Sequence, residues 1–405
     1  MFGIRRKTGS TTLRSAAALL AAGAVIWVAG AGGVCVASPQ QQGQTPPADA
    51  VIRPAQEVLA QLETVKLPEL DQSRAEDQSY MERYYQARTE AAILICTLVH
   101  ELYTNYPDHE RLDELMERRW SLLYEGKRYG AVRNETAEIL TKYDAGRPIC
   151  RSAQRWQDLF AIEPLFKYTG TDPALKMKKA KEYAANYPED ENASLFLYLA
   201  ARDLEPYSDE QLALFRQIVK AHPDTAVGKR AGGKLRQVDS VGTPFELKFD
   251  DALTGEPVDI ADYKGKVVIV HFWASWWPSV LDVEKVLMEM IDRYAENGFQ
   301  VLGVSLDQSE AKRGLEQLQK FVKDNEIPWP QYYQGGAWNA AYSASWGIDA
   351  VPWSFVVDQK GRLHTVNPAD DLENIVRELF GLEPLPKEAD EEAEEAEEAA
   401  EGEGG

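Results

Sequence analysis

The stretch HFWASWWPSV, residues 271–280, decides how the second half of this chain is read. With the preceding KVVIV it makes a continuous apolar run of strand length, as a strand buried on both faces should. It is followed by VLDVEKVLMEMIDRYAENG, in which Val283, Val286, Leu287, Met290, Ile291 and Tyr294 mark one helical face and Gly298 ends it. The stretch is therefore a strand-to-helix junction. Ser279 is placed to cap a helix starting at Val280, with Asp282 in its first turn.

Reading outward, VGTPFELKFDDALTGEPVDIADYKGK predicts two short strands around the Thr254-Gly255 turn. Downstream, FQVLGVSLD is a second buried strand and SEAKRGLEQLQKFVKDN an amphipathic helix. EIPWPQYYQGGAWN reads as a loop leading to a short helix that ends near Gly347. WSFVVD and RLHTV form a hairpin split by Gln359-Lys360-Gly361, and DLENIVRELFG is a closing helix. This order predicts an α/β domain over residues 241–384, its mixed sheet covered on both faces.

Residues 51–240 have a different texture. Apolar residues recur at a period near 3.6, and Ala, Glu, Leu, Lys and Arg dominate. One phrase returns at Tyr106-Pro107-Asp108, Tyr143-Asp144, Tyr187-Pro188-Glu189 and His222-Pro223-Asp224. The aromatic should end a helix and pack inward; proline blocks continuation, and the acid caps the next helix. The steps of 37, 44 and 35 residues, by subtraction of those positions, loosely resemble tetratricopeptide-like hairpins. An irregular helical domain with proline-stopped helices fits the same text. Either is a scaffold for binding or spacing proteins, without a catalytic constellation. The fold class is thus multidomain, all-α then α/β.

GKVVIVHFWASWW, GFQVLGVSLD, FVKDNEIPWPQ and WGIDAVPWSFVVDQKGRL together resemble the exported, redoxin-type thioredoxin-like thiol-disulfide oxidoreductases that serve cytochrome c maturation. The resemblance covers about a third of the chain, residues 241–380. It implies a thioredoxin-like fold, with two cysteines after W-A-[ST]-W at a helix N-terminus. There the helix dipole holds the first cysteine as the attacking thiolate, and the second resolves the mixed disulfide. Trp273-Ala274-Ser275-Trp276 matches the lead-in, but Trp277-Pro278-Ser279-Val280 stands where the motif should be. No cysteine exists beyond Cys150. The family's exchange reaction and a peroxidase reaction therefore have no sulfur at this loop. A hydrolytic pairing of Ser279 with His271 lacks an orienting acid. The resemblance also implies a cis peptide at Val351-Pro352, facing the loop and offering backbone groups to an extended peptide. Trp276, Trp277 and Trp353 are then expected either to converge at that groove or to fill core.

Three cysteines exist: Cys35, Cys96 and Cys150. Cys96 and Cys150 fit either a disulfide or two separate buried thiols. Joined, they close a loop of 55 residues (96 to 150 inclusive), worth about 4 kcal/mol on the chain-entropy model. A divergent oxidoreductase using this pair is the enzymatic alternative to a non-catalytic binding protein. The net charge of −21 argues against nucleic acid as a partner, because phosphate binding needs a basic surface. Ten acids between residues 388 and 403 belong to an acidic tail, residues 385–405. The basic start and the apolar run after it, residues 1–37, have the order of an export signal or an N-terminal anchor, the only membrane contact expected. A flexible linker, residues 38–50, follows. The expected location is the periplasm or cell envelope. The expected partner is a protein or peptide, and no metal-ligand spacing or cofactor motif is present.

Overall fold

The computed structural model describes residues 52–385, apart from residues 76, 310, 311, 369 and 370. The leader, the linker and the tail from residue 386 lie outside the described residues. Among the described residues no helix is long and apolar enough to cross a membrane.

The chain divides into two compact units, one running to Tyr187 and the other beginning at Pro188. The first contains α1 (Ala55–Thr64), α2 (Gln78–Asn105), α3 (Leu112–Glu125), α4 (Tyr129–Lys142), α5 (Pro148–Lys167) and α6 (Pro173–Asn186). An Arg-Trp pair is used twice to join its helices. Arg119 and Trp120 of α3 both reach Glu135 of α4, and Arg155 and Trp156 of α5 both reach Glu117 of α3. The carboxylates thus satisfy buried indole N–H groups as well as the guanidinium charge.

The second unit opens with α7 (Glu191–Ala201), α8 (Asp209–Ala221) and α9 (Ala226–Asp239). The recurring phrase behaves as its chemistry requires. Tyr106, Tyr143, Tyr187 and His222 are the C-caps of α2, α4, α6 and α8. The acid of the phrase is not the next cap, however. Where a side chain caps the following helix it is one residue further on, Asp190 for α7 and Thr225 for α9.

β1 (Lys248–Asp250) and β2 (Pro257–Asp259) pair antiparallel around the expected turn. Then come β3 (Val267–Trp273), α10 (Val280–Tyr294), β4 (Phe299–Ser305), α11 (Gly314–Asp324), β5 (Gln331–Tyr333), α12 (Ala341–Ser345), β6 (Trp353–Val357), β7 (Leu363–Val366) and α13 (Leu372–Leu379). The sheet order is β5-β4-β3-β6-β7, with β3, β4 and β5 parallel and β6 and β7 antiparallel to their neighbours. Every residue of β3 is buried. Val268, Val270 and Phe272 face one core with Phe245, Phe355 and Trp346; Val267, Ile269 and Trp273 face another with Leu287 of α10 and Leu318 of α11. The sheet is covered on both sides, as the apolar run of β3 required. β5 lies inside the stretch read as a loop; its three residues between prolines and glycines are too few to show a period.

The change of texture at residue 241 is not where the units part. Helices α7 to α9 share helical composition with the first unit but pack with the α/β fold. Gly233 of α9 lies against Gly347, so closely that a Cβ on Gly233 would fall 2.2 Å from the Gly347 nitrogen. The boundary at 240/241 therefore marks composition, and that at 187/188 marks packing.

Candidate functional site

Residues 274–280 leave the end of β3, turn through Trp276-Trp277-Pro278, and enter α10 at Val280. Ser279 occupies the N-cap position without a side-chain capping bond. The loop is held from the other side by Asp307. This buried carboxylate accepts from Ser275 Oγ at 2.5 Å, from the Ser275 backbone N–H at 3.3 Å and from Ser305 Oγ at 2.7 Å. Burial pushes the Asp307 carboxyl above the usual range, outweighing those donors.

Trp276 is the most exposed of the loop's aromatics, at 41%. Its ring meets Trp277 edge-on at 6.1 Å and Trp338 in the same manner at 6.1 Å. Its indole N–H donates to the Leu306 carbonyl. Trp277 is half-buried and packs against both cores, while Pro278 is exposed. A shallow apolar depression brings Trp277, Val280 and Val283 together with Val351 and Pro352, over His271. The Val351-Pro352 peptide is cis, as expected. Among the described residues, Val351 is buried and makes no backbone hydrogen bond, so its N–H and C=O are without an internal partner.

Trp353 does not converge with the other two. Its ring lies beneath Lys234 Nζ, 4.0 Å from the centroid, and its indole nitrogen is buried without a partner. The expected Trp276–Trp277–Trp353 cluster is replaced by Trp276, Trp277 and Trp338. Trp338 stands in the GGAWN loop, where an aromatic between turn residues was the available signal.

His271 is buried in β3, with Nδ1 3.1 Å from Ser354 Oγ and Nε2 3.3 Å from Oε1 of the fully buried Glu284. It faces Ser354 and Glu284, so no hydrolytic pair forms with Ser279. Cys96 and Cys150 are free and separate; the disulfide is not formed. Cys96 lies 3.8 Å from the Arg119 carbonyl and Cys150 lies 3.8 Å from the Tyr143 carbonyl. Burial raises both thiol pKa values, the opposite of what a nucleophilic thiolate needs. Among the described residues no group of acids, histidines or cysteines is arranged to hold a metal ion.

Residues 239–366 match the AhpC/TSA family. The C-terminal part of this chain is a redoxin domain. It is homologous to the thiol-disulfide oxidoreductase ResA of Bacillus thuringiensis subsp. konkukian, 23% identical over 111 residues, which are 27% of this chain and 60% of that protein. The chain thus spans about 60% of the length of that relative. The thioredoxin-like protein YneN of Bacillus subtilis is 24% identical over 123 residues, 30% of this chain and 66% of that one. Among solved structures, the thioredoxin domain of a thiol-disulfide oxidoreductase from Bacteroides vulgatus is 26% identical, covering 34% of this chain and 94% of that chain, with a TM-score of 0.30. The redoxin domain of this chain contains no cysteine.

Proposed function

We propose that this chain is an exported, non-catalytic thioredoxin-fold protein that binds an extended segment of a partner protein beside Pro352, with its helical half as scaffold. The observation that carries the reading is the apolar depression where Trp277 meets Val351 and Pro352. Thiol-disulfide exchange needs sulfur at this position, and an indole supplies none. What it supplies is apolar area with little entropy to lose, beside Val351, whose backbone has no internal hydrogen bond. The exposed Trp276 extends that surface. An oxidoreductase built on Cys96 and Cys150 is disfavoured, since each thiol is buried and held by a different carbonyl.

The test has two arms. The full chain is assayed for dithiothreitol-dependent insulin reduction, and none is expected. It is then used to select binders from a library of extended peptides, and Trp276→Ala and Trp277→Ala are expected to abolish capture of the selected peptides. Insulin reduction that disappears when residues 277–280 are altered refutes the non-catalytic reading. Selected peptides that bind both variants as well as the parent refute the site.

A further inference from the structure

The segment just before Pro352 is held in an unusual way. Among the described residues, Asp349, Ala350 and Val351 donate no backbone hydrogen bond. A segment with so few backbone partners is ordinarily among the first to open locally. Its anchor is a side chain. Asp349 accepts from Tyr198 Oη of α7 at 2.7 Å, pairs with Lys234 Nζ of α9 at 2.8 Å, and has Arg202 Nε at 3.9 Å. Lys234 also lies over Trp353, on the far side of Pro352. One ammonium therefore touches residues on both sides of the cis bond.

The neighbouring contacts reinforce this grip. Gln237 of α9 donates to the Trp346 carbonyl, and Tyr207 Oη donates to Gln237 at 2.6 Å. The Arg236 guanidinium lies 3.9 Å from the centroid of the Trp346 ring. All of these donors come from α7 to α9 or their connections, and, apart from Gln237, which accepts from Tyr207, the groups they reach lie on the run from Trp346 to Trp353. A bare spacer helix would not need a buried lysine, a fully buried glutamine and a glycine pressed onto backbone along one face.

We infer that α7 to α9 form a positioning arm for the Pro352 surface, with Asp349, Lys234 and Tyr198 as its positioning residues. The inference rests on the reading of that surface as a docking site and adds how it is kept in shape. The arm fixes the segment from Asp349 to Val351, whose backbone has no hydrogen bond of its own, so an incoming segment does not have to order the loop as it binds. It also withdraws Trp353 from the docking surface by covering its ring.

The experiment is residue-resolved amide exchange on the full chain, comparing the parent with Tyr198→Phe, Lys234→Met and Lys234→Arg. Tyr198→Phe keeps the ring and removes one hydrogen bond, so the fold is preserved. Exchange at Gly347 and Ile348, whose amides donate to the Ala344 and Ser343 carbonyls beside Asp349, is expected to accelerate roughly tenfold in Lys234→Met and less in Tyr198→Phe, while amides of β3 and β4 keep their protection. Lys234→Arg should restore much of the protection, because the charge returns. Unchanged exchange at Gly347 and Ile348 overturns the inference. So does an acceleration shared equally by β3 and β4, which marks general loss of stability. The readout needs no ligand, so failure of peptide selection defeats the docking reading while leaving the arm standing.

Discussion

Two adjacent glycines in α9 should respond to alanine with opposite signs. Glycine in a helix interior costs about 1 kcal/mol relative to alanine. At Gly232 a new Cβ would meet only Val219 Cγ2 at 3.8 Å, an ordinary contact. Gly232→Ala should therefore stabilise the fold by about 0.5–1 kcal/mol. At Gly233 the same Cβ falls 2.2 Å from the Gly347 nitrogen and 2.6 Å from its Cα, both backbone atoms. Nor can Gly347 give way: its φ is +63°, and it is pressed against the Arg230 carbonyl and the Lys234 nitrogen. The helix and loop must separate by more than 1 Å to reach normal contact, which costs about 1–3 kcal/mol by overpacking alone. The separation also strains the Gln237 bond to the Trp346 carbonyl, worth about 1 kcal/mol when intact. Net of the helix-propensity gain, Gly233→Ala should cost about 2–3 kcal/mol, so the two variants should differ by about 3 kcal/mol, or more than a hundredfold in the unfolding constant. Urea unfolding followed by amide exchange in β3 assigns the transition to the second unit. If Gly233→Ala is neutral or stabilising in that assay, α9 does not lie on Gly347 and the unit boundary belongs at residue 241 after all.

Further outcomes follow from the buried polar groups. His271→Leu removes the ring nitrogen 3.3 Å from the buried Glu284 carboxyl, whose oxygens have no hydrogen bond to fall back on, and should cost about 3–5 kcal/mol, whereas the double change with Glu284→Met should recover most of that loss in the same unfolding assay; equal losses in both would show that the pair carries no coupling. Cys96 and Cys150 should resist iodoacetamide in the native chain and react fully in denaturant, with identical mass with and without prior reduction; a two-dalton shift on reduction would establish a disulfide. Burial raises the Asp349 carboxyl, but Lys234, Arg202 and Tyr198 outweigh it and hold its pKa below the ordinary value. A depressed acid stabilises the fold above its unfolded pKa, so this contribution is present above about pH 4 and is lost as pH falls through the lower folded value. Asp349→Asn should therefore flatten the acid limb of a stability–pH curve, and an unaltered limb would mean the ion pair contributes nothing.

How much of this was legible depended on where the information sits. β3 and α10 declare themselves, because a wholly apolar run and a period near 3.6 are local properties of residues 267–294. The place of α9 does not. The residues it buries are Gly228, Ala231, Gly233, Lys234 and Gln237, which form no apolar stripe. Its partner is a loop whose backbone wants close approach and hydrogen bonds, so its buried face is small and polar. The one available sign was the Gly232-Gly233 pair in the middle of a helix, a costly choice without a packing reason. The turn of Trp353 away from Trp276 was hidden for the same cause, because it depends on Lys234, far upstream in the chain. The cysteines could be paired on paper because an even pair in an exported chain suggests a bridge, but the side chains lie on different carbonyls and the bridge does not form.

The junction at residues 271–280 separates what a fold needs from what a reaction needs. The fold needs the apolar strand, the turn, and a first helical residue that reaches the core. Val280 meets the last requirement with a buried side chain, and Trp277 packs against the cores on both faces of the sheet. Neither contact requires sulfur. The helix N-terminus and its unpaired N–H groups persist whatever residue precedes them, since they belong to the backbone of α10. What two cysteines would add is a nucleophile, and what Trp277 and Val280 add is area. A redoxin fold with that substitution retains a shaped surface beside Pro352 and gains indole contact there, which is the ground on which we propose recognition, and not exchange, for this loop.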